Sequence, residues 1–175
     1  MPNATASQID SAPTPLRGYA PPSERPPLGS YAVTMVVFNV LFGGALLIAK
    51  RAGRALPERI GAADLVTIGV ASHKLSRLIA KDKVTSPLRA PFTEFEEDGG
   101  PAELEERARG EGPRKAIGEL LVCPYCLSLW VVAAFCVGLL FAPRLTRFLA
   151  SALSALTISD FLQIAYKAAE EKGLG

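Results

Sequence analysis

The feature that most constrains this chain is an uncharged stretch over residues 31–49, with the sequence YAVTMVVFNVLFGGALLIA. Its 19 residues are close to the roughly 20 that an α-helix needs to cross a hydrocarbon core about 30 Å thick. A cleaved secretory signal peptide is the alternative, but the stretch starts late and ends in Lys50-Arg51 rather than at a small-residue cleavage site. We therefore predict a first transmembrane helix over 31–49.

Three further segments predict helices, and with the first they favour an all-α integral membrane bundle of about four helices. Residues 118–142 and 148–167 are long apolar segments and predict two more spans. Residues 60–80 are more polar, although their apolar side chains recur at helical spacing. This segment either spans, with its basic end reaching the headgroups, or lies in the membrane interface. We favour a span.

Two polar segments complete the predicted organisation. Residues 1–30 are rich in Pro, Ser, Thr and Ala, and we predict a disordered Pro-rich tail because they cannot bury enough apolar surface to offset the entropy of ordering. Residues 81–115 form an acidic polar loop within a membrane domain predicted over 60–166, and 102–109 predict one short charged helix. With four spans, both tails and this loop share the side that carries eleven Lys and Arg residues against six. The positive-inside rule then places both termini in the cytoplasm.

Two of the three cysteines, Cys123 and Cys126, flank Pro124-Tyr125 where the third apolar segment begins. Residues three apart share a helix face, Pro suits a first helical turn, and a helix N-terminus stabilises a thiolate. The pair can be a reactive dithiol, half of a tetrahedral zinc or iron site, or a packed helix start, which is the simplest of the three. No cofactor is predicted.

A second group of candidate residues lies around the end of the 60–80 helix. His73 and Arg77 share a helix face that would attract anionic lipid headgroups, and a turn ahead of Pro87 follows. We predict a polar cluster here, and an interfacial basic anchor is its simplest role. Its members are His73, Arg77, Asp82, Thr85 and Arg89.

Two acids, Asp64 and Asp160, lie within apolar segments, where an acid is costly and raises a functional question. Each either pairs with a basic residue across the bundle or belongs to a proton or ion pathway. Other function classes are disfavoured by composition. The 19 basic and 17 acidic residues form no basic stripe that would predict a nucleic-acid partner, and His73 is the only histidine available to a catalytic triad. We expect no catalytic residues.

Three motifs in order resemble a known bacterial membrane family, the domain of unknown function 1360 family. They are KLSRLI at 74–79, DKVTSPLR at 82–89 and GELLVCPYCLSLW at 118–130, and the resemblance covers about residues 60–166. The usual family pattern is R-L-x-R-L-x-x-x-D-x-I-T-x-P-L-R followed by C-x-W-C-x-G-x-W. This chain departs from it mildly, at Lys74, Val84, Tyr125 and Ser128. The resemblance implies a multi-pass bacterial membrane protein and no established activity.

Together these observations predict a multi-pass protein of a bacterial plasma membrane, acting as a non-enzymatic membrane component or assembly partner. Its expected partners are anionic lipid headgroups and a membrane protein or a second copy of the chain. The alternative is a membrane thiol-redox or metal-binding protein that uses Cys123 and Cys126.

Overall fold

The structure is a computed structural model that describes residues 26–173. Residues 1–25 of the predicted disordered tail, 1–30, lie outside the described residues, whereas residues 28–30 are helical. Helices make up most of the described chain, in agreement with the all-α class, and one two-stranded hairpin interrupts them. The elements in chain order are α1 (Leu28–Arg51), α2 (Ala62–Ala80), α3 (Ser86–Arg89), β1 (Thr93–Asp98), β2 (Leu104–Ala108), α4 (Gly112–Val122), α5 (Pro124–Phe141) and α6 (Pro143–Gly173).

The bundle is built around α2, which packs against both α5 and α6. Its core contains Ile68 and Ala71 from α2, Val131 and Phe135 from α5, and Ala150 from α6. Ala71 is completely buried and Ala150 is 1% exposed, so small side chains allow α2 and α6 to approach closely. Helix α2 is thus the most enclosed of the long helices.

Contacts between α1 and the α4–α5 segment fix their relative direction. The Tyr31 hydroxyl bonds to the Glu119 carboxylate, and the Phe38 ring packs edge-on against Trp130 with centroids 5.1 Å apart. Because the residue numbers rise together on both sides, α1 runs in the same direction as α5.

The directions of the remaining long helices follow from the same argument. Asp64 and Lys74 of α2 pair with Arg147 and Asp160 of α6 respectively, so α2 and α6 run parallel. Helices α5 and α6 are joined by Ala142 alone and are therefore antiparallel neighbours. The starts of α1 and α5 and the ends of α2 and α6 consequently meet at one end of the bundle, which we call the polar end because it carries α3, the hairpin and α4.

Three helices among the described residues are long and apolar enough to cross a membrane, namely α1, α5 and α6. Helix α2 is not among them, because it carries Asp64, Lys74 and Arg77 within 19 residues. Helices α1, α5 and α6 therefore have the length and composition of membrane-spanning helices.

The acidic segment forms a hairpin, and the predicted short helix over 102–109 is wrong. Strands β1 and β2 pair antiparallel, with Thr93 opposite Ala108 and an irregularity between Phe95 and Glu97. Ala102 closes the turn with a φ of 62°, which is incompatible with a helix. The physical reason is tertiary, because Glu105 and Glu106 of β2 bond to Lys81 and Arg89, and these contacts override local helix propensity.

Candidate functional site

A single buried arginine organises the polar end. Arg89, the last residue of α3, has no exposed surface. Its Nη1 donates to the carbonyl oxygens of Ile79 at 2.7 Å and Asp82 at 3.1 Å and to the Thr85 hydroxyl at 2.7 Å, while its Nε donates to the Glu106 carboxylate. The Nη2 atom is buried without a partner among the described residues. One side chain therefore joins the end of α2, the following turn and β2.

Thr85 completes this arrangement by satisfying the end of α2. Its hydroxyl lies 2.5 Å from the carbonyl oxygen of Leu78 and 2.9 Å from that of Asp82, and donates to one of them while accepting from Arg89. The last carbonyls of a helix have no partner within the helix. Thr85 and Arg89 supply those partners, which explains physically why this turn needs these two residue types.

Two ion pairs then fix the hairpin to α2. Arg77 Nη2 lies 2.6 Å from both carboxylate oxygens of Glu103, and Lys81 Nζ lies 2.6 Å from Glu105. Backbone bonds extend the contact, since the Leu104 N–H donates to the Lys81 carbonyl at 2.8 Å. The hairpin is thus held by both side chains and main chain.

The three glutamates of this site, Glu103, Glu105 and Glu106, were not predicted as site residues. A signal for two of them exists in the sequence. Residues two apart in a strand are separated by about 6.8 Å, and residues four apart in a helix by about 6 Å. The spacing of Glu103 and Glu105 therefore matches that of Arg77 and Lys81, as the two ion pairs show.

The predicted polar cluster is brought together except for one member. Arg77, Asp82, Thr85 and Arg89 share the network around α3 and the hairpin. His73 instead lies exposed on α2, and its side chain makes no hydrogen bond with the described residues. The helical spacing of His73 and Arg77 is real, but the hairpin reaches only the last turn of the helix.

Asp82 is the titratable group of this network whose environment is unfavourable to its charge. Partial burial raises the pKa of its carboxyl above the ordinary value, and the nearby carboxylates of Glu103 and Asp160 raise it further. Lys74 and Arg77 oppose this effect only in part. Asp82 contributes to the network through its backbone carbonyl, which accepts from Arg89.

The two acids within apolar segments each have a basic partner on a neighbouring helix. Arg147 donates to both oxygens of Asp64 at 2.9 and 2.8 Å, near the starts of α6 and α2. Lys74 Nζ lies 2.9 Å from Asp160, nearer the polar end. Pairing across the bundle is the first of the two roles that the sequence left open.

The cysteine pair lies at the junction of α4 and α5. Cys123 is the N-cap of α5, its Sγ accepts from the Cys126 N–H at 3.2 Å, and the two residues form a disulfide with Cα atoms 5.3 Å apart. Tyr125 between them is 88% exposed. Cys136, the remaining cysteine, is free and half-buried within α5. Among residues 26–173, no three His, Cys, Asp or Glu side chains are grouped to hold a metal ion.

Helix α4 connects this pair to the Arg89 network. Gly118 lies so close to the Phe92 carbonyl and to Ala108 of β2 that a methyl group there would overlap both. Arg114 adds bonds of 2.7 and 3.0 Å to the Pro91 carbonyl. The start of α5 is therefore held by an element that packs directly on the hairpin.

The fold and the site define a helical protein with three helices apolar enough to span a membrane and a polar hairpin fixed to one end of the bundle. The chain belongs to the family described as protein of unknown function (DUF1360), whose profile matches residues 67–166, more than half of the 175 residues. The match begins in α2 and ends in α6 and so includes α3, the hairpin and α4.

Two curated relatives, both from Bacillus subtilis (strain 168), are similar to parts of the chain. Sporulation protein YjcA is 35% identical over 74 residues, which is 41% of this chain and 63% of the relative. UPF0713 protein YngL is 27% identical over 92 residues, which is 50% of this chain and 66% of the relative. The chain thus spans just under two thirds of the length of each. No solved structure matches it.

Proposed function

We propose that this protein is a multi-pass component of a bacterial plasma membrane that presents the polar end as a rigid platform for assembly with a membrane partner. The observation that carries the proposal is the exposure of its apolar helices. Between 6% and 17% of the residues in the most apolar part of α1, α5 and α6 are buried within the protein. Contiguous apolar surface of this extent requires a lipid or protein environment.

The internal pairing of charges supports a platform more than a headgroup anchor. Arg77, Lys81 and Arg89 each bond to a glutamate of the hairpin, so their charges are already satisfied within the chain. A lipid headgroup would have to compete with a carboxylate that is fixed in place. The same pairs keep α2, the turn and the hairpin in one arrangement, which a docking surface requires.

The distribution of basic residues supports placing the polar end in the cytoplasm. The tails and the 81–115 segment carry eleven Lys and Arg residues against six at the other end. Similarity to a sporulation protein over part of its length suggests spore formation as the process in which to seek a phenotype.

A matched pair of cysteine substitutions tests the membrane topology. In a Cys123→Ser/Cys126→Ser/Cys136→Ser background, Val84→Cys places a thiol at the polar end and Leu56→Cys places one between α1 and α2, at sites 81% and 66% exposed. We expect an impermeant maleimide to label Leu56→Cys on intact spheroplasts and Val84→Cys only after permeabilisation. The protein should also stay in the membrane pellet after a carbonate wash. Release by carbonate, or equal labelling of both sites, would contradict the proposal.

A further inference from the structure

We propose that Cys123 and Cys126 are a redox-active dithiol that exchanges electrons with disulfide-bearing molecules at the polar end. This activity goes beyond the proposed role as a membrane component. It rests on the arrangement of the two sulfurs, the start of α5 and the exposure around them, and on the proposed topology only for the compartment.

The backbone at this junction allows the disulfide to form and open without rearrangement. The Cα atoms of Cys123 and Cys126 lie 5.3 Å apart, within the usual disulfide range of about 4.4–6.8 Å. Both residues belong to the start of α5, so no mobile segment has to bring them together. A pair held at bonding distance by one helix turn is suited to reversible oxidation.

The start of α5 distinguishes the two sulfurs chemically. Cys123 is the N-cap of a helix of 18 residues, and its Sγ accepts the Cys126 N–H. Pro124 has no N–H, so the Cys126 amide is one of the few donors of the first turn that can reach this sulfur. A helix N-terminus and an N–H donor both stabilise a thiolate, which makes Cys123 the attacking group.

Access to the pair is open from the polar end. Cys126 is exposed and Cys123 is half-buried, while Tyr125 between them has 88% of its surface exposed. Cys136 lies within α5, away from its start, and takes no part in the pair. A partner disulfide can therefore approach Cys123 and Cys126 without opening the bundle.

The exchange balances as follows. The Cys123 thiolate attacks one sulfur of the partner disulfide, forming a mixed disulfide and releasing one partner thiolate, which takes up a proton. Cys126 then loses its proton and attacks the Cys123 sulfur, closing the Cys123–Cys126 disulfide and releasing the second partner thiol. The partner gains two electrons and two protons, and the dithiol loses them. Thiol reductants reverse the sequence.

The proposed topology places this pair in a reducing compartment, where protein disulfides are typically transient and catalytic or redox-sensing. A disulfide needed only for stability would be poorly placed there. The pairing geometry and the compartment together favour cycling between the two states.

Redox titration of the full chain tests the proposal. Purified Cys136→Ser protein in detergent is equilibrated with mixtures of reduced and oxidised glutathione, quenched with acid, and its free thiols are counted by a maleimide mass shift. We expect both thiols to appear and disappear together within the glutathione series. A pair that stays reduced in excess oxidised glutathione, or oxidised in excess dithiothreitol, overturns the proposal. So does near-stoichiometric zinc or iron that protects both thiols until a chelator is added.

Single-cysteine variants in the same Cys136→Ser background test the assignment of roles. Cys126→Ser, which retains Cys123, should react with maleimide at pH 7 at least about tenfold faster than Cys123→Ser. It should also trap a stable mixed disulfide both with oxidised glutathione and with insulin, a protein disulfide. Trapping with only one probe identifies the size of the partner and supports the exchange. Equal labelling rates combined with no trapping overturn it, as a merely packed cysteine would behave in this way.

These measurements use protein in detergent and do not depend on membrane orientation. Failure of the exchange would leave the spheroplast labelling intact, and failure of the topology would leave the titration intact. The two proposals are therefore tested separately.

Discussion

Replacing Arg89 by alanine should release the hairpin from the bundle while leaving the long helices in place. Arg89 is completely buried, and its partner Glu106 has 6% of its side chain exposed. The substitution removes the bonds to the Ile79 and Asp82 carbonyls and leaves the Glu106 carboxylate buried without its counterion. The main cost is this stranded charge rather than the loss of attraction.

The magnitude follows from the burial of the pair. Removing one partner of a buried ion pair costs about 3–5 kcal/mol. Arg107 offers the matched control, because it also bonds to a hairpin carboxylate, Glu94 at 3.0 Å, but is 65% exposed. An exposed pair of this kind contributes about 0–1 kcal/mol. Arg89→Ala and Arg107→Ala should therefore differ by at least about 2 kcal/mol.

Hydrogen–deuterium exchange of the hairpin amides measures this difference directly, since exchange reports the free energy of local opening. At about 1.4 kcal/mol per tenfold, exchange in β1 and β2 should accelerate by two to three orders of magnitude or more in Arg89→Ala, and by less than about fivefold in Arg107→Ala. The double variant Arg89→Met/Glu106→Leu should recover most of the protection, because an apolar pair of similar volume often replaces a buried ion pair without loss. Equal protection in Arg89→Ala and Arg107→Ala would refute the reasoning.

Three further predictions concern other contacts of the polar end and the bundle. The pKa of the Asp82 carboxyl is raised in the folded state, so ionised Asp82 costs stability at neutral pH. Asp82→Asn should therefore raise the thermal unfolding midpoint at pH 7, and this advantage should disappear on acidification towards pH 3.8. A lower midpoint at pH 7 would contradict this prediction. Gly118→Ala should destabilise the protein by about 1–3 kcal/mol in thermal unfolding, because the added methyl group would overlap the hairpin. The control Gly69→Ala, at a position with open space around it, should be neutral or stabilising. Equal effects of the two substitutions would rule out the close contact. Asp160→Asn should destabilise the protein by about 1–3 kcal/mol, because Lys74 loses its partner. The double variant Lys74→Met/Asp160→Leu should restore the thermal unfolding midpoint. A proton-flux phenotype without a change in stability would favour an ion pathway instead.

The apolar helices can be predicted from the sequence because each is a long segment of mostly apolar residues. Residues 31–49 lie within α1, and the predicted helix over 148–167 lies within α6. The segment predicted as one helix over 118–142 is instead interrupted before Pro124, where Cys123 leaves the helical conformation. Proline at a first helical position signals such a start, and Pro124 directly follows Cys123 in the sequence.

The hairpin could not be predicted because local composition gives the opposite answer. The β2 sequence LEERA is rich in good helix formers, and its strand conformation depends on partners much earlier in the chain, such as Lys81 and Arg89. For the same reason the burial of Arg89 was not visible, since an arginine in a polar loop is usually solvated. Only the pairing of β2 with α2 and α3 makes it a core residue.

The directions of the helices bear on α2, whose composition left open whether it spans or lies in the interface. Helices α1 and α5 run parallel and both begin at the polar end. If both cross the membrane, the chain must return to the polar end between them, and α2 is the only long helix in that interval. Its 19 residues extend about 28 Å, close to the thickness of a hydrocarbon core. Its low apolarity is no obstacle, because Asp64 and Lys74 pair with α6 and Arg77 pairs with the hairpin. By their own composition α1, α5 and α6 are apolar enough to span, whereas the polar groups of α2 have their partners on other elements.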